Sequence, residues 1–173
     1  MKKLLFLAVL VFGFTLPAAA YQEPGNLKLS LWDDIAFAIP NNIHNVEGLD
    51  LGIGSKTYKM TGLQWDILWA NSSYLTGLSW AWGASKTNRG TGAQMALVTL
   101  NDHMTGAQLG AVNVSWRSLT GAQVGFYNQA REIVGAQVGL INYAKYIHGL
   151  QVGLFNIAEN GYLPAMIFIN GRF

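Results

Sequence analysis

The chain has 173 residues, a one-domain length, and 12% of them are charged, against about 25% in a typical soluble domain. Setting aside Lys2 and Lys3 at the extreme N-terminus leaves nine Lys+Arg against nine Asp+Glu, which excludes the basic character of a nucleic-acid binder. Cysteine is absent, which excludes a disulfide framework and any cysteine-based metal site.

Residues 1–20 read as a secretory signal peptide. Lys2 and Lys3 give a positive start, Leu4 to Leu16 is apolar apart from Gly13 and Thr15, and Pro17-Ala18-Ala19-Ala20 supplies small residues before a cut at Tyr21. The apolar run is shorter than the roughly 20 residues of a spanning helix, so an uncleaved anchor is the weaker reading. The mature chain is expected to begin at Tyr21. Residues 21–47 form an N-terminal strand and loop: Leu27, Leu29 and Leu31 alternate on one side, and Pro40-Asn41-Asn42 breaks the pattern.

Residues 48–160 are a tandem array. Glycines align at Gly48, Gly62, Gly77, Gly92, Gly106, Gly121, Gly135 and Gly149, spaced by 14 or 15 residues. The first, third and fifth positions after each glycine, here called face A, are apolar in all eight copies. They run from Leu49/Leu51/Ile53 through Leu78/Trp80/Trp82 and Ala136/Val138/Leu140 to Leu150/Val152/Leu154. Face B is the glycine and the second and fourth positions, and it holds only Gly, Gln, Asp, Ser and Ala. A helix would repeat its apolar stripe every three or four residues, so this two-residue period specifies strands. Charges cluster between the strands, as in Lys56 to Lys59, Ser85 to Arg89, Asn101 to His103 and Trp116-Arg117, and these stretches read as turns. Residues 161–173 add a C-terminal strand ending in Phe173, for about ten strands in all.

Two all-β architectures fit. In an up-and-down barrel each repeat supplies one tilted strand of about 9–11 residues and a turn, with face A toward lipid and face B toward the lumen. In a parallel β-solenoid each repeat is one coil, with face A in the core and stacked Gln and Asn ladders. The apolar residue two before each glycine (Met60, Leu75, Met104, Leu119, Ile133, Ile147) would close that core. Low charge, the export signal and an apolar face together favour the barrel.

The repeat resembles a group of uncharacterised bacterial exported proteins, the surface-repeat proteins, which carry tandem GLQxGLxN units. Gly135-Ala-Gln-Val-Gly-Leu-Ile-Asn142 and Gly149-Leu-Gln-Val-Gly-Leu-Phe-Asn156 carry the resemblance, with Gly106 to Asn113 and Gly121 to Asn128 in agreement. Leu29 to Asp33 and Gly48 to Gly52 are similar to that group's opening segment. The resemblance spans Leu27 to Phe173 and implies an exported protein, with no activity attached. Ser79 in place of Gln, and Ala84 and Thr99 in place of Asn, depart from the pattern.

No catalytic, cofactor or metal constellation stands out. His44, His103 and His148 lack ligand spacing, Gly52-Ile53-Gly54 is not followed by a phosphate-loop Lys-Ser/Thr, and Asn71-Ser72-Ser73 is a chance acceptor match. Asp50 and Asp66 are the only face B carboxylates. The expectation is a non-enzymatic surface or outer-membrane protein without cofactor. Its partner would be outer-membrane lipid or a cell-surface component. The alternative is a periplasmic or secreted solenoid that binds a polymer or a protein.

Overall fold

The computed structural model describes residues 23–173; the expected signal peptide and the start at Tyr21 lie outside them. The strands, in chain order, are β1 (Gly25–Trp32), β2 (Ile35–Ile39), β3 (Asn45–Ala81), β4 (Ala84–Met95), β5 (Val98–Leu109), β6 (Val112–Val124), β7 (Tyr127–Ala158) and β8 (Ala165–Arg172). They form one sheet in the order β2-β1-β3-β4-β5-β6-β7-β8. Pairing is parallel from β1 through β7 and antiparallel only for β2 and β8, at the two ends. β3 and β7 are 37 and 32 residues long and stay extended around their corners, so each holds more than one coil.

This is a parallel β-solenoid, and the expected up-and-down barrel is corrected. An up-and-down barrel pairs each strand antiparallel to its neighbour. Here each repeat lies parallel on the next with like residues in register: Gly92 on Gly106, Ala93 on Ala107, Gln94 on Gln108. The stack then continues through Gly121 and Gln123 to Gly135 and Gln137. Parallel stacking lets each Gly, Gln and Asn meet its own kind at strand spacing. The extra residue of the Gly106 repeat bulges outward at Trp116-Arg117, where the register shifts between Ser115 and Ser118, so the inward positions stay aligned.

The second correction concerns which face is inside. In a solenoid, face A was expected to fill the core; it is the outer face. Val138 is 42% exposed, its neighbour Gln137 is 0% exposed, and none of the 24 face A side chains is buried. Gly in the array explains the inversion. The eight aligned glycines have φ between +123° and +148°, which L side chains rarely adopt. A Cβ on Gly135 would lie 1.9 Å from the carbonyl oxygen of Gly121, with similar clashes down the column. Coils of 14 residues approach closely along this line and leave a narrow interior. Amides, Ser, Thr and Ala fit it, whereas a row of Trp, Leu and Phe would not.

The apolar core is a seam at one corner. Met104, Leu119, Ile133 and Ile147 stack there with Ala130, Ala144 and Ala158. Val46, Met60 and Leu75 continue it at the N-terminal end. These are the residues two before each glycine, as expected. Gly90 interrupts the seam, and the flexible thioether of Met104 leans into the gap. The stretches read as turns also contribute strand: Ser85, Thr87 and Asn101 point inward and are buried.

Candidate functional site

The inward column runs the length of the molecule. In register from one end it holds Lys28, Asp50, Gln64, Ser79, Gln94, Gln108, Gln123, Gln137, Gln151 and Asn170, all buried. A buried amide is tolerated when its hydrogen bonds are made. In the C-terminal half they are, except at the last rung, where Gln151 Oε1 has no partner. Gln123 Nε2 donates to Gln108 Oε1, Gln137 to Gln123 and Gln151 to Gln137, each at 2.7 Å. The second hydrogen of each amide reaches across the coil to a backbone carbonyl, of Gln129, Tyr143 or Ile157. Asparagines build a second ladder: Asn113 donates to Asn128, Asn128 to Asn142 and Asn142 to Asn156, each at 2.8 Å. The Gln ladder donates toward the preceding repeat and the Asn ladder toward the following one.

The ladders fade toward the N-terminus, where the repeat departs from its pattern. Gln94 donates to Ser85 and Thr87 instead of to Ser79. A charged cluster replaces the amides beyond that point. Lys28 Nζ donates to Ser55 Oγ at 3.1 Å, Lys56 O at 2.6 Å and Thr57 Oγ1 at 2.9 Å, and lies 3.5 Å from Asp50 Oδ2. Asp50 accepts from Ser30 at 3.0 Å, from Thr57 at 2.9 Å and from Ser55. Three acceptors and a carboxylate satisfy the ammonium, although burial pulls its pKa below the ordinary lysine value, against the pull of Asp50. Asp66 occupies the fourth position after its glycine, where most repeats have Gly, and both its oxygens lack a hydrogen-bond partner. Burial pushes its pKa up to about 8, and the negative charge of Asp50 adds to the rise while Lys28 opposes it. Asp66 is thus a neutral acid at pH 7.

The structure brings Asp50 and Asp66 into one end of the core, both 0% exposed, so neither carboxylate meets solvent or a substrate. The histidines stay apart from them. The His103 ring nitrogen Nδ1 lies 2.7 Å from Ser118 Oγ, His44 sits in the loop before β3, and His148 is exposed. Among the described residues no three of His, Asp and Glu converge on a point. Sequence reasoning missed Lys28, because its partners Ser55 and Thr57 are a full coil away.

What faces outward is the larger feature. Face A carries no charge and no polar side chain along its length; its first and third positions lie on strand, and its fifth sits at a corner, as Trp82, Leu97, Ala111 and Phe126 do just beyond the ends of β3, β4, β5 and β6. Eight rungs at about 4.8 Å and the three strand residues of each at about 3.3 Å give a flat footprint near 400 Å². That lies within the range of about 300–600 Å² for the largest apolar patch of a typical monomer, which is often functional. Trp80 lies between Trp65 and Trp82 on it, with its ring centroid 6.2 Å from that of each. Next to face A runs a polar column, Thr61, Thr76, Thr91, Thr105 and Thr120, one residue before five of the eight glycines; Glu47, Val134 and His148 precede the other three. Face A itself presents apolar side chains alone, and the hydroxyls of this surface lie in the adjacent Thr column. Comparison with protein-family models, with curated proteins and with solved structures finds no match to this chain.

Proposed function

We propose that this protein is a non-catalytic, exported binding module that works through the outer apolar face of its solenoid. The observation that carries the reading is the inversion: polar amides are buried and eight consecutive apolar triplets stay in water. Burial of apolar area stabilises by about 25 cal/mol per Å², so an uncovered surface of this size has a large affinity for any apolar cover. Support also comes from continuity, since no insertion breaks the face between Leu49 and Leu154. The leading segment and the likeness of the repeat to exported surface-repeat proteins support export, and with it a role at the cell surface or outside the cell.

The test uses the absence of cysteine. Val138→Cys and Arg131→Cys variants are treated with a small water-soluble maleimide in the intact cells that export them. Position 131, on an exposed corner, is expected to label readily, and position 138 only after denaturation. Equal labelling at both positions in the folded protein would mean that nothing covers face A, and would remove the binding reading. N-terminal sequencing of the exported form is expected to start at Tyr21; recovery of Met1 would count against export.

A further inference from the structure

We infer that the cover of the outer apolar surface is a phospholipid bilayer, on which the solenoid lies with its axis in the membrane plane and one apolar edge sunk among the acyl chains. The inference rests on the binding reading above and names its partner. Three observations carry it. The apolar surface continues around a convex edge, the charges are gathered at the opposite corner, and backbone groups at the bends of that edge are hydrogen-bonded within the chain.

Face A does not end the apolar surface at its fifth position. Leu97, Phe126 and Leu140 stand there, at the bend, and Phe126 is 66% exposed. The chain then turns onto the other side of the coil, with Ile141 and Phe155 at the sixth position and Ile157 at the eighth, all exposed. Across the last five repeats the first, third, fifth, sixth and eighth positions hold no charged residue. Their polar side chains are Gln129, Tyr127, which donates to it, and Tyr143, which donates to Glu159 beyond the edge. Lys86, at the eighth position in register with Leu100, marks the N-terminal limit of this edge. A convex edge leaves a rigid protein partner little area to match, whereas acyl chains close around any outline.

The charged side chains between Gly92 and Asn160 are Asp102, Arg117, Arg131, Glu132, Lys145 and Glu159. All stand at the tenth or eleventh position after their glycine, at the opposite corner. The coil is therefore amphipathic in cross-section, as an interfacial helix is, and such a helix sinks its apolar side about 5–10 Å into the headgroup and acyl boundary. Three cations balance three anions at the charged corner, so anionic headgroups are not required. Lipid also demands that backbone groups be paired. At the bends of the apolar edge Gly125 N donates to Val138 O and Phe126 N to Ala111 O, both at 3.0 Å, and Ile141 N donates to Phe126 O at 2.9 Å. The carbonyls just before the bends take a further donor from inside the coil. Asn113 Nδ2 donates to Val124 O and Asn128 Nδ2 to Val138 O at 2.9 Å, and Asn142 Nδ2 to Val152 O at 3.0 Å. The Asn ladder thus satisfies from within the carbonyls nearest the lipid, along an edge about 20 Å long.

The experiment floats the purified mature chain with phosphatidylcholine vesicles in detergent-free buffer. The chain is expected to move with the vesicles and to stay bound in concentrated salt, because the seated edge carries no charge to screen. Phe126→Glu is expected to lower the partition coefficient on the order of tenfold or more, since it removes apolar burial and adds a charge at the edge. Its side chain points outward, so the β-sheet circular dichroism should be retained. Arg131→Glu, at the opposite corner, is expected to leave partitioning unchanged. Orientation is read from a fluorophore on Leu140→Cys or Lys145→Cys chains and a quencher carried on the lipid chains. Position 140 is expected to be quenched and position 145 to stay bright. Equal quenching at the two, or release by salt, would overturn the seating. A wild-type chain that stays in the buffer while position 138 is shielded in cells would overturn lipid as the cover and keep the binding reading, leaving a protein on the surface. Position 138 open to the maleimide in cells would remove both.

Discussion

Replacing Gln137 by Leu cuts the Gln ladder at an interior rung. Gln137 Nε2 donates to Gln123 Oε1 at 2.7 Å and Tyr143 O at 3.1 Å, and Gln137 Oε1 accepts from Gln151 Nε2 at 2.7 Å. Leucine fills a similar volume and satisfies none of these, so three buried groups lose a partner. Each loss costs about 1–3 kcal/mol. Burial of the new isobutyl group recovers up to about 2 kcal/mol. The net penalty is about 1–7 kcal/mol. For a domain of this size each kcal/mol moves the melting temperature by roughly 2–4 °C, so Gln137→Leu is expected to lower Tm by on the order of 10 °C. Gln151→Leu ends the ladder instead of interrupting it. Only Gln137 Oε1 and Ile157 O lose a donor, because Gln151 Oε1 has no partner to begin with. It should cost clearly less than Gln137→Leu. Lys145→Ala, at an outward corner, should stay within about 0.5 kcal/mol. The assay is thermal unfolding of the three variants by circular dichroism at one protein concentration. Equal shifts for Gln137→Leu and Lys145→Ala, or a larger shift for Gln151→Leu, would refute the ladder as the source of core stability.

Asp66 makes stability depend on pH. Its pKa is about 8 in the fold against 3.8 for the ordinary carboxyl, so between those values the folded chain holds a proton that the unfolded chain has released. The contribution of Asp66 is therefore full below about pH 3.8, declines as pH rises toward 8 and is flat above it. Asp66→Asn should abolish that decline and melt higher than the wild type at pH 9; parallel pH profiles for the two proteins would disprove this. Gly135→Ala should destabilise by at least about 3 kcal/mol, since its Cβ would sit 1.9 Å from Gly121 O at φ +138°, with strain and overpacking combined. A melting temperature within 2–4 °C of wild type, roughly the shift for 1 kcal/mol in a domain of this size, would show that the glycine column tolerates a side chain.

The repeat, the strand period and the division into two faces could all be read from residue types alone, because side-chain alternation in a strand is a local property. The direction of each face could not. The barrel reading points Val138 outward, toward lipid, and the solenoid reading points it into the core; the structure is a solenoid with Val138 outward and Gln137 buried, because the interior is too narrow for the larger row. The signal that could have placed Gln137 inside was the pair of glycines around each glutamine, as in Gly135-Ala-Gln-Val-Gly139. Glycine has no use on an open surface and is required where coils touch. The seam residues Met60 and Ile147 were legible because a 14–15-residue coil must turn near them. The Lys28–Asp50–Asp66 cluster was not, since its members come from three separate passes of the chain.

The opposed donor directions of the two amide ladders bear on how long such a protein can be. A single ladder of aligned amides would build up a dipole with every repeat, positive at one tip and negative at the other, and its cost would grow with length. Here each added repeat brings a Gln amide oriented one way and an Asn amide oriented the other, so their fields largely cancel. Gene duplication can therefore lengthen the array, or deletion shorten it, without electrostatic penalty at the tips. Whatever the number of repeats between them, the two antiparallel strands β2 and β8 stay at the ends of the sheet.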